Sequence, residues 1–141
     1  MNQQAIFGPM FAMLALTLVV WILMYLRRRA FVLANRIRLR DIATPETMAR
    51  TLDEYAASPG NNFRNLCELP VLFYVLCLYL YVTGTADMPY LALAWSFFVF
   101  RVLHSFVHCT SNRVSRRMLC YALAAFAFWA MALRATIQYL T

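Results

Sequence analysis

Residues 5–26 read AIFGPMFAMLALTLVVWILMYL, and Arg27-Arg28-Arg29 follow at once. The run carries no charged side chain. It is long enough for a helix to cross a bilayer, which takes roughly 17–25 residues. A cleaved leader is not expected: residues 1–4 hold no base, the arginines follow the apolar run, and no small-x-small site precedes Arg27. Working outward, three further stretches read the same way, at about 62–83, 89–108 and 117–140. The third is the least clean, because Arg101 and His104 interrupt its end. Hydrophobic residues make up 63% of the 141 positions, against roughly 45–50% in soluble domains. The expected fold is an all-α integral membrane protein. It is a four-transmembrane-helix bundle in one domain over 1–141, with a connecting loop at 27–61.

Charge orients the bundle. All 13 basic residues are Arg. Eight of them, Arg27 to Arg64, fall between the first and second spans, and Arg113, Arg116 and Arg117 fall between the third and fourth. The second connection carries Asp87 and no base. By the positive-inside rule the two basic connections are cytoplasmic and both termini lie on the non-cytoplasmic side. Arginines beside a span meet anionic headgroups, so a nucleic-acid arm over Arg27–Arg40 is not expected. Cys67, Cys77, Cys109 and Cys120 form no CxxC pair, which points to packing and away from disulfides or zinc.

Thr44-Pro45-Glu46 has the order of a helix start, with Thr44 as N-cap and Pro45 at the first position. This short helix is expected to reach about residue 57, with a turn at Ser58-Pro59-Gly60-Asn61. The second span then begins near residue 61 or 62. Asn61, Arg64, Asn65 and Glu68 follow i, i+3, i+4, i+7 and so share one face. Pro70 removes an amide and frees the carbonyl of Leu66, so a bend is expected there. Arg101, His104, Ser105 and His108 repeat the same spacing on the third span, and Arg113, Arg117 and Tyr121 recur at i+4. Arg134 is expected to snorkel to the outer interface and do nothing more.

A carboxylate inside a span must be paired or protonated. Glu68 has Arg64 one turn away, and Arg101 or Arg113 could reach it, so an ion pair that fixes helix packing is one reading. The charges do not balance, however. Arg64, Arg101, Arg113, Arg116 and Arg117 outnumber Glu68 by four. That surplus favours an anionic guest, because guanidinium forks suit carboxylates and phosphates. Arginines also favour the thiolate form of a bound thiol. His104 and His108 are one turn apart, but no third ligand is evident, so no metal site is expected. No Gly-rich phosphate loop, Ser-His-Asp set or paired carboxylates can be found.

Arg64-Asn65-x-x-Glu68 with Pro70 resembles the second-helix motif of the MAPEG family, the membrane-associated proteins in eicosanoid and glutathione metabolism. Arg101-x-x-His104 followed by Arg113 and Arg117 resembles that family's third-helix, loop and fourth-helix motif. The resemblance implies a homotrimer with glutathione between neighbouring subunits near the cytoplasmic face. It assigns Arg64, Asn65 and Glu68 to one subunit's share of the site, and Arg101, Arg113, Arg117 and Tyr121 to the rest. Arg113 or Arg117 would stabilise the thiolate. The ligand-binding set is completed by Asn61, His104 and His108. Two positions depart from the pattern: His108 stands where characterised enzymes commonly have tyrosine, and Asn61 where another arginine is frequent.

Two functions remain open. One is a glutathione-dependent membrane transferase or peroxidase, with Arg113 and Arg117 as catalytic residues and a lipophilic electrophile or hydroperoxide as second substrate. The other is a non-catalytic member that binds anionic lipid or serves as a subunit of another membrane complex. A proton pathway through Glu68, His104 and His108 is disfavoured, because these groups cluster at one rim. The expected setting is a bacterial inner membrane, with lipids and further copies of the chain as partners and no nucleic acid.

Overall fold

The period of the apolar residues shows where each helix packs. In the computed structural model, which describes residues 2–140, α1 runs Phe7–Ala34 and buries Met13 and Val20 one heptad apart, in line with Ile6 just before it. A short 3-10 turn, Leu39–Ile42, leads to α2 (Pro45–Thr51) and α3 (Glu54–Leu66). Next come α4 (Leu69–Val82), α5 (Met88–Cys109) and α6 (Val114–Leu140). Among the described residues, four helical stretches are long and apolar enough to cross a membrane: Gln3–Ala34, Glu54–Val82 as α3 plus α4, Met88–Cys109 and Val114–Leu140.

The core lies between α1, α4, α5 and α6. Phe73 stacks on Phe97 at 4.5 Å, and Phe97 meets Phe128 at 6.1 Å. Ala94, Ala124, Ala127 and Ala135 are buried beside them. Small residues let helix backbones approach closely in lipid, where dispersion replaces the hydrophobic effect as the driving force. Phe11, Leu18, Phe106, Phe126, Trp129 and Leu133 remain exposed around the outside, as expected of lipid-facing positions.

Three local expectations need correction. The predicted turn at 58–61 is helical, and most of the predicted 27–61 loop is helix. α1 continues past the arginine triplet to Ala34, where Arg36 closes it at φ 50 and the Ile37 amide donates to the Val32 carbonyl at 3.0 Å. Thr44 does cap α2, in a reciprocal box with Thr47, but α2 stops at Thr51 and α3 starts afresh behind the Asp53 cap. Pro59 sits inside α3 and cannot donate to the Tyr55 carbonyl. Two other donors reach that oxygen: Arg27 Nη1 at 3.3 Å and Ser58 Oγ at 3.5 Å. The same Arg27 nitrogen donates to the Cys109 carbonyl at 2.9 Å, and its guanidinium lies 4.0 Å over the Tyr55 ring. Arg27 therefore ties α1 to α3 and to the end of α5.

Second, Pro70 does more than bend the span. Helix α3 ends at Leu66, Glu68 takes φ −99 and ψ −101, and α4 restarts with Pro70 in its first turn, where a missing amide does no harm. Third, Arg134 does not merely snorkel. It donates to both Asp87 carboxylate oxygens at 2.6 and 2.5 Å and lies 4.2 Å over Tyr90, whose hydroxyl donates to Gln138 at 2.7 Å. Asp87 also caps α5 through the Tyr90 amide. The Arg134 hydrogen bonds hold the Asp87 carboxyl below its usual pKa.

Candidate functional site at the arginine-rich end

Helix α5 buries one stripe along its length: Tyr90, Ala94 and Phe97 continue into Arg101, His104, Ser105 and His108. The face that packs the core at one end is polar at the other. Arg101 is fully buried. Its Nη2 donates to the Asn65 carbonyl at 2.6 Å, and Tyr121 presents its ring 5.6 Å away. That carbonyl is free to accept because the break at Cys67 and Glu68 strips the last turn of α3 of intrahelical partners. The Arg101 Nε and Nη1 are buried with no hydrogen-bond partner among the described residues. A desolvated guanidinium with unused donors is costly unless an anion meets it.

Arg117 enters from the start of α6. Its Nη1 donates to Asn112 Oδ1 at 2.7 Å and lies 3.2 Å from His108 Nε2. A guanidinium can only donate, so His108 Nε2 accepts and its proton sits on Nδ1. The Arg117 carbonyl lies 3.0 Å from His104 Nδ1. A carbonyl can only accept, so His104 also carries its proton on Nδ1 and presents a bare Nε2. His104 Nε2 and His108 Nδ1 are both buried without a hydrogen-bond partner among the described residues. The two rings stand edge to face at 5.5 Å, and Tyr121 lies 5.8 Å from His104.

Two of the clefts at this end hold residues picked from sequence. One, of about 310 Å³, is lined by Asn65, His104, Arg117, Met118, Tyr121 and Ala122. The other, of about 350 Å³, lies between α1, α2 and α3 and is lined by residues including Arg28, Thr44, Met48, Leu52, Asn61 and Arg64. Gly60 makes room for Arg28 there: a Cβ at Gly60 would collide with the Arg28 guanidinium.

The structure thus divides the residues picked from sequence. Asn65, Arg101, His104, His108, Arg117 and Tyr121 come together. Asn61 and Arg64 face the second cleft. Glu68 is exposed at the helix break, off the α3 face it was expected to share, and Arg113 is exposed on the loop. Glu68 forms no ion pair with Arg64, Arg101 or Arg113, so the reading of it as a packing ion pair is not met. Among the described residues the ion pairs are Arg38–Asp41, Arg40–Asp41 and Arg134–Asp87, none of them at this cluster. No group of three or more possible metal ligands forms among the described residues.

Sequence reasoning missed Arg27, Arg28, Asn62 and Asn112. Asn62 is fully buried, donating to Cys109 Sγ at 3.5 Å and accepting from Ser105 Oγ at 3.4 Å. Its signal was the helical spacing Ser58, Asn62, Leu66, which a turn at 58–61 concealed. Arg27 and Arg28 had no local signal, since what they lie against, Tyr55 and Cys109 for Arg27 and Gly60 for Arg28, is on other helices.

The MAPEG family model matches residues 6–137 of the chain. Neither a curated protein nor a solved structure matches it.

Proposed function

The chain belongs to the MAPEG family, and from that premise we propose that it is a glutathione-dependent membrane transferase or peroxidase. The observation that carries the reading is the buried Arg101, whose Nε and Nη1 have no partner among the described residues and which meets Asn65 and Tyr121 of a cleft that His104 and Arg117 also line. Among the described residues Arg117 commits only Nη1, so its Nε and Nη2 edge is available to an anion. Arg101, buried against Asn65 and Tyr121 of the same cleft, keeps two donor nitrogens without a partner among the described residues. Glutathione fits this donor set: it has two carboxylates for guanidinium forks and a thiol whose ionised form a guanidinium stabilises. When bound, it supplies a nucleophilic sulfur for attack on a lipophilic electrophile or hydroperoxide.

The chain's own residues then have distinct work. Arg117 holds negative charge on sulfur and lowers the cost of losing the thiol proton. The bare His104 Nε2 accepts a hydrogen bond from an N–H or S–H of the guest. Arg113 adds positive potential at the mouth. Asn61 and Arg64, with Arg28, stand in a separate cleft of the same chain. This division supports a ligand held between neighbouring copies in a homotrimer, one copy offering Arg64 and Glu68 and the next offering Arg117. The arginine-rich end faces the cytoplasm in a bacterial inner membrane, the side on which basic connections are retained.

Calorimetric titration of detergent-purified protein with glutathione tests the reading. Saturable binding that disappears in both Arg64→Ala and Arg117→Ala supports it; no binding to the unaltered protein at millimolar glutathione refutes it.

A second reading keeps the fold and drops the chemistry. The Arg28 and Arg64 cleft is also walled by Met48 and Leu52, a mix of guanidinium and apolar surface that suits an anionic lipid. Native mass spectrometry separates the two. A retained phospholipid that Arg64→Ala releases, together with no glutathione binding, favours this reading.

A further inference from the structure

Asn112 occupies the turn between α5 and α6, and three observations set it apart from an ordinary loop residue. Its backbone is left-handed at φ 43, and its amide donates to the Val107 carbonyl at 2.8 Å, closing the end of α5. Its side chain joins two elements that are not neighbours in sequence. Nδ2 donates to Glu54 Oε1 at 2.6 Å, at the first position of α3, and Oδ1 accepts from Arg117 Nη1 at 2.7 Å. The orientation of this amide is not open to choice. A carboxylate only accepts and a guanidinium only donates, so flipping the amide would set like against like on both sides.

The Arg117 guanidinium is held at one corner. Nη1 carries two hydrogens; one goes to Asn112 and the other to His108 Nε2. The nitrogen is saturated and the guanidinium plane is anchored at that corner. The planar fork then leaves Nε and Nη2 as a fixed edge for a guest. An unanchored arginine would aim that edge less steadily at the charge that grows on sulfur as the reaction proceeds.

We infer that Asn112 is a positioning residue. Through the chain Glu54, Asn112, Arg117 and His108 it holds the site arginine by one nitrogen, so that the opposite edge meets the anion or sulfur ready-oriented. This rests on the proposed glutathione chemistry for its purpose, but the anchoring itself does not depend on that chemistry.

The test uses Asn112→Gly, which accepts the left-handed backbone and deletes only the amide. Glu54→Ala is the second variant and leaves the α5–α6 turn untouched should the first fail to fold. The first readout needs no glutathione. Modification of Arg117 by phenylglyoxal is followed by peptide mass spectrometry relative to exposed Arg116. Losing a hydrogen bond to a charged group should raise the relative rate about tenfold in Asn112→Gly. Glu54→Ala should raise it less, and Glu54→Gln, which keeps an acceptor for Nδ2, should bring it back.

The second readout is turnover with glutathione. Asn112→Gly should lower kcat by about tenfold and change KM for glutathione by less than about threefold, the pattern of a lost transition-state contact. Thiolate absorbance of bound glutathione at neutral pH should fall in parallel. An unchanged Arg117 to Arg116 ratio in both variants overturns the inference. So does a lowered melting temperature with modification ratio, kcat and thiolate signal all intact. If the unaltered protein binds no glutathione, the proposed function fails, and the modification ratio alone still decides whether Asn112 anchors Arg117.

Discussion

Replacing Arg27 with methionine keeps most of the stem and removes the guanidinium that joins α1 to α3 and α5. The cost follows from three contacts. The hydrogen bond to the Cys109 carbonyl, 2.9 Å and part-buried, falls in the class worth about 1.5–3 kcal/mol for a charged donor. The bond to the Tyr55 carbonyl is longer, at 3.3 Å, and exposed, so about 0.5 kcal/mol is appropriate. The stacking over Tyr55 at 4.0 Å adds about 0.5–1 kcal/mol at an exposed site. The sum, about 2.5–4.5 kcal/mol, corresponds to a fall of roughly 5–18 °C in melting temperature for a chain of this size. Thermal unfolding in detergent, followed by helical circular dichroism, measures it, with exposed Arg29→Met as the control that should not move. Pro59→Ala sharpens the test. It restores an amide to the Tyr55 carbonyl, so the Arg27→Met loss should shrink by about 0.5 kcal/mol in that background. Arg27→Met melting within about 2 °C of the unaltered protein would refute the reasoning and leave the triplet as topological charge alone.

Arg101 tests how function and stability trade against each other. Arg101→Met replaces a buried guanidinium with unused donors by an apolar chain of similar length. Melting should hold or rise by up to about 1–2 kcal/mol, while glutathione affinity falls at least about tenfold; a large loss of stability with affinity intact contradicts this. At the opposite end, the Arg134 contact depresses the Asp87 pKa. The sign is that of a depressed carboxylate: the stabilisation is full above the usual carboxylate range near 4 and is lost as pH falls through the folded value. Because the pair is half exposed, Asp87→Asn should cost only about 0.5–1 kcal/mol at neutral pH, and its melting curve should converge with the unaltered protein in acid. Gly60→Ala should displace the flexible Arg28 guanidinium, so melting changes by less than about 1 kcal/mol, while binding of anions in the Arg28 and Arg64 cleft weakens measurably by calorimetry.

What could be read from sequence follows physical range. The four spans were legible because apolar runs of bilayer length are a local property, as was the Thr44 cap. The polar stripe Arg101, His104, His108 on α5 was legible because helical period is local too. Prolines were harder. Pro59 reads as a breaker unless a donor from another helix is known to take the Tyr55 carbonyl, and that donor, Arg27, lies 28 positions earlier. Pro70 was read as a bend, yet the helix breaks fully and turns Glu68 outward, which dissolved the expected ion pair. The division of the arginines between two clefts, and the link from Glu54 through Asn112 to Arg117, depend on which helices touch. No spacing in the sequence encodes that.

Glutathione binding to the detergent-purified protein tests the central claim most directly. The account predicts saturable heat on titration, abolished by Arg117→Ala and by Arg64→Ala. Absence of heat at millimolar glutathione in a folded, unaltered protein would contradict it and turn attention to the anionic lipid that copurifies.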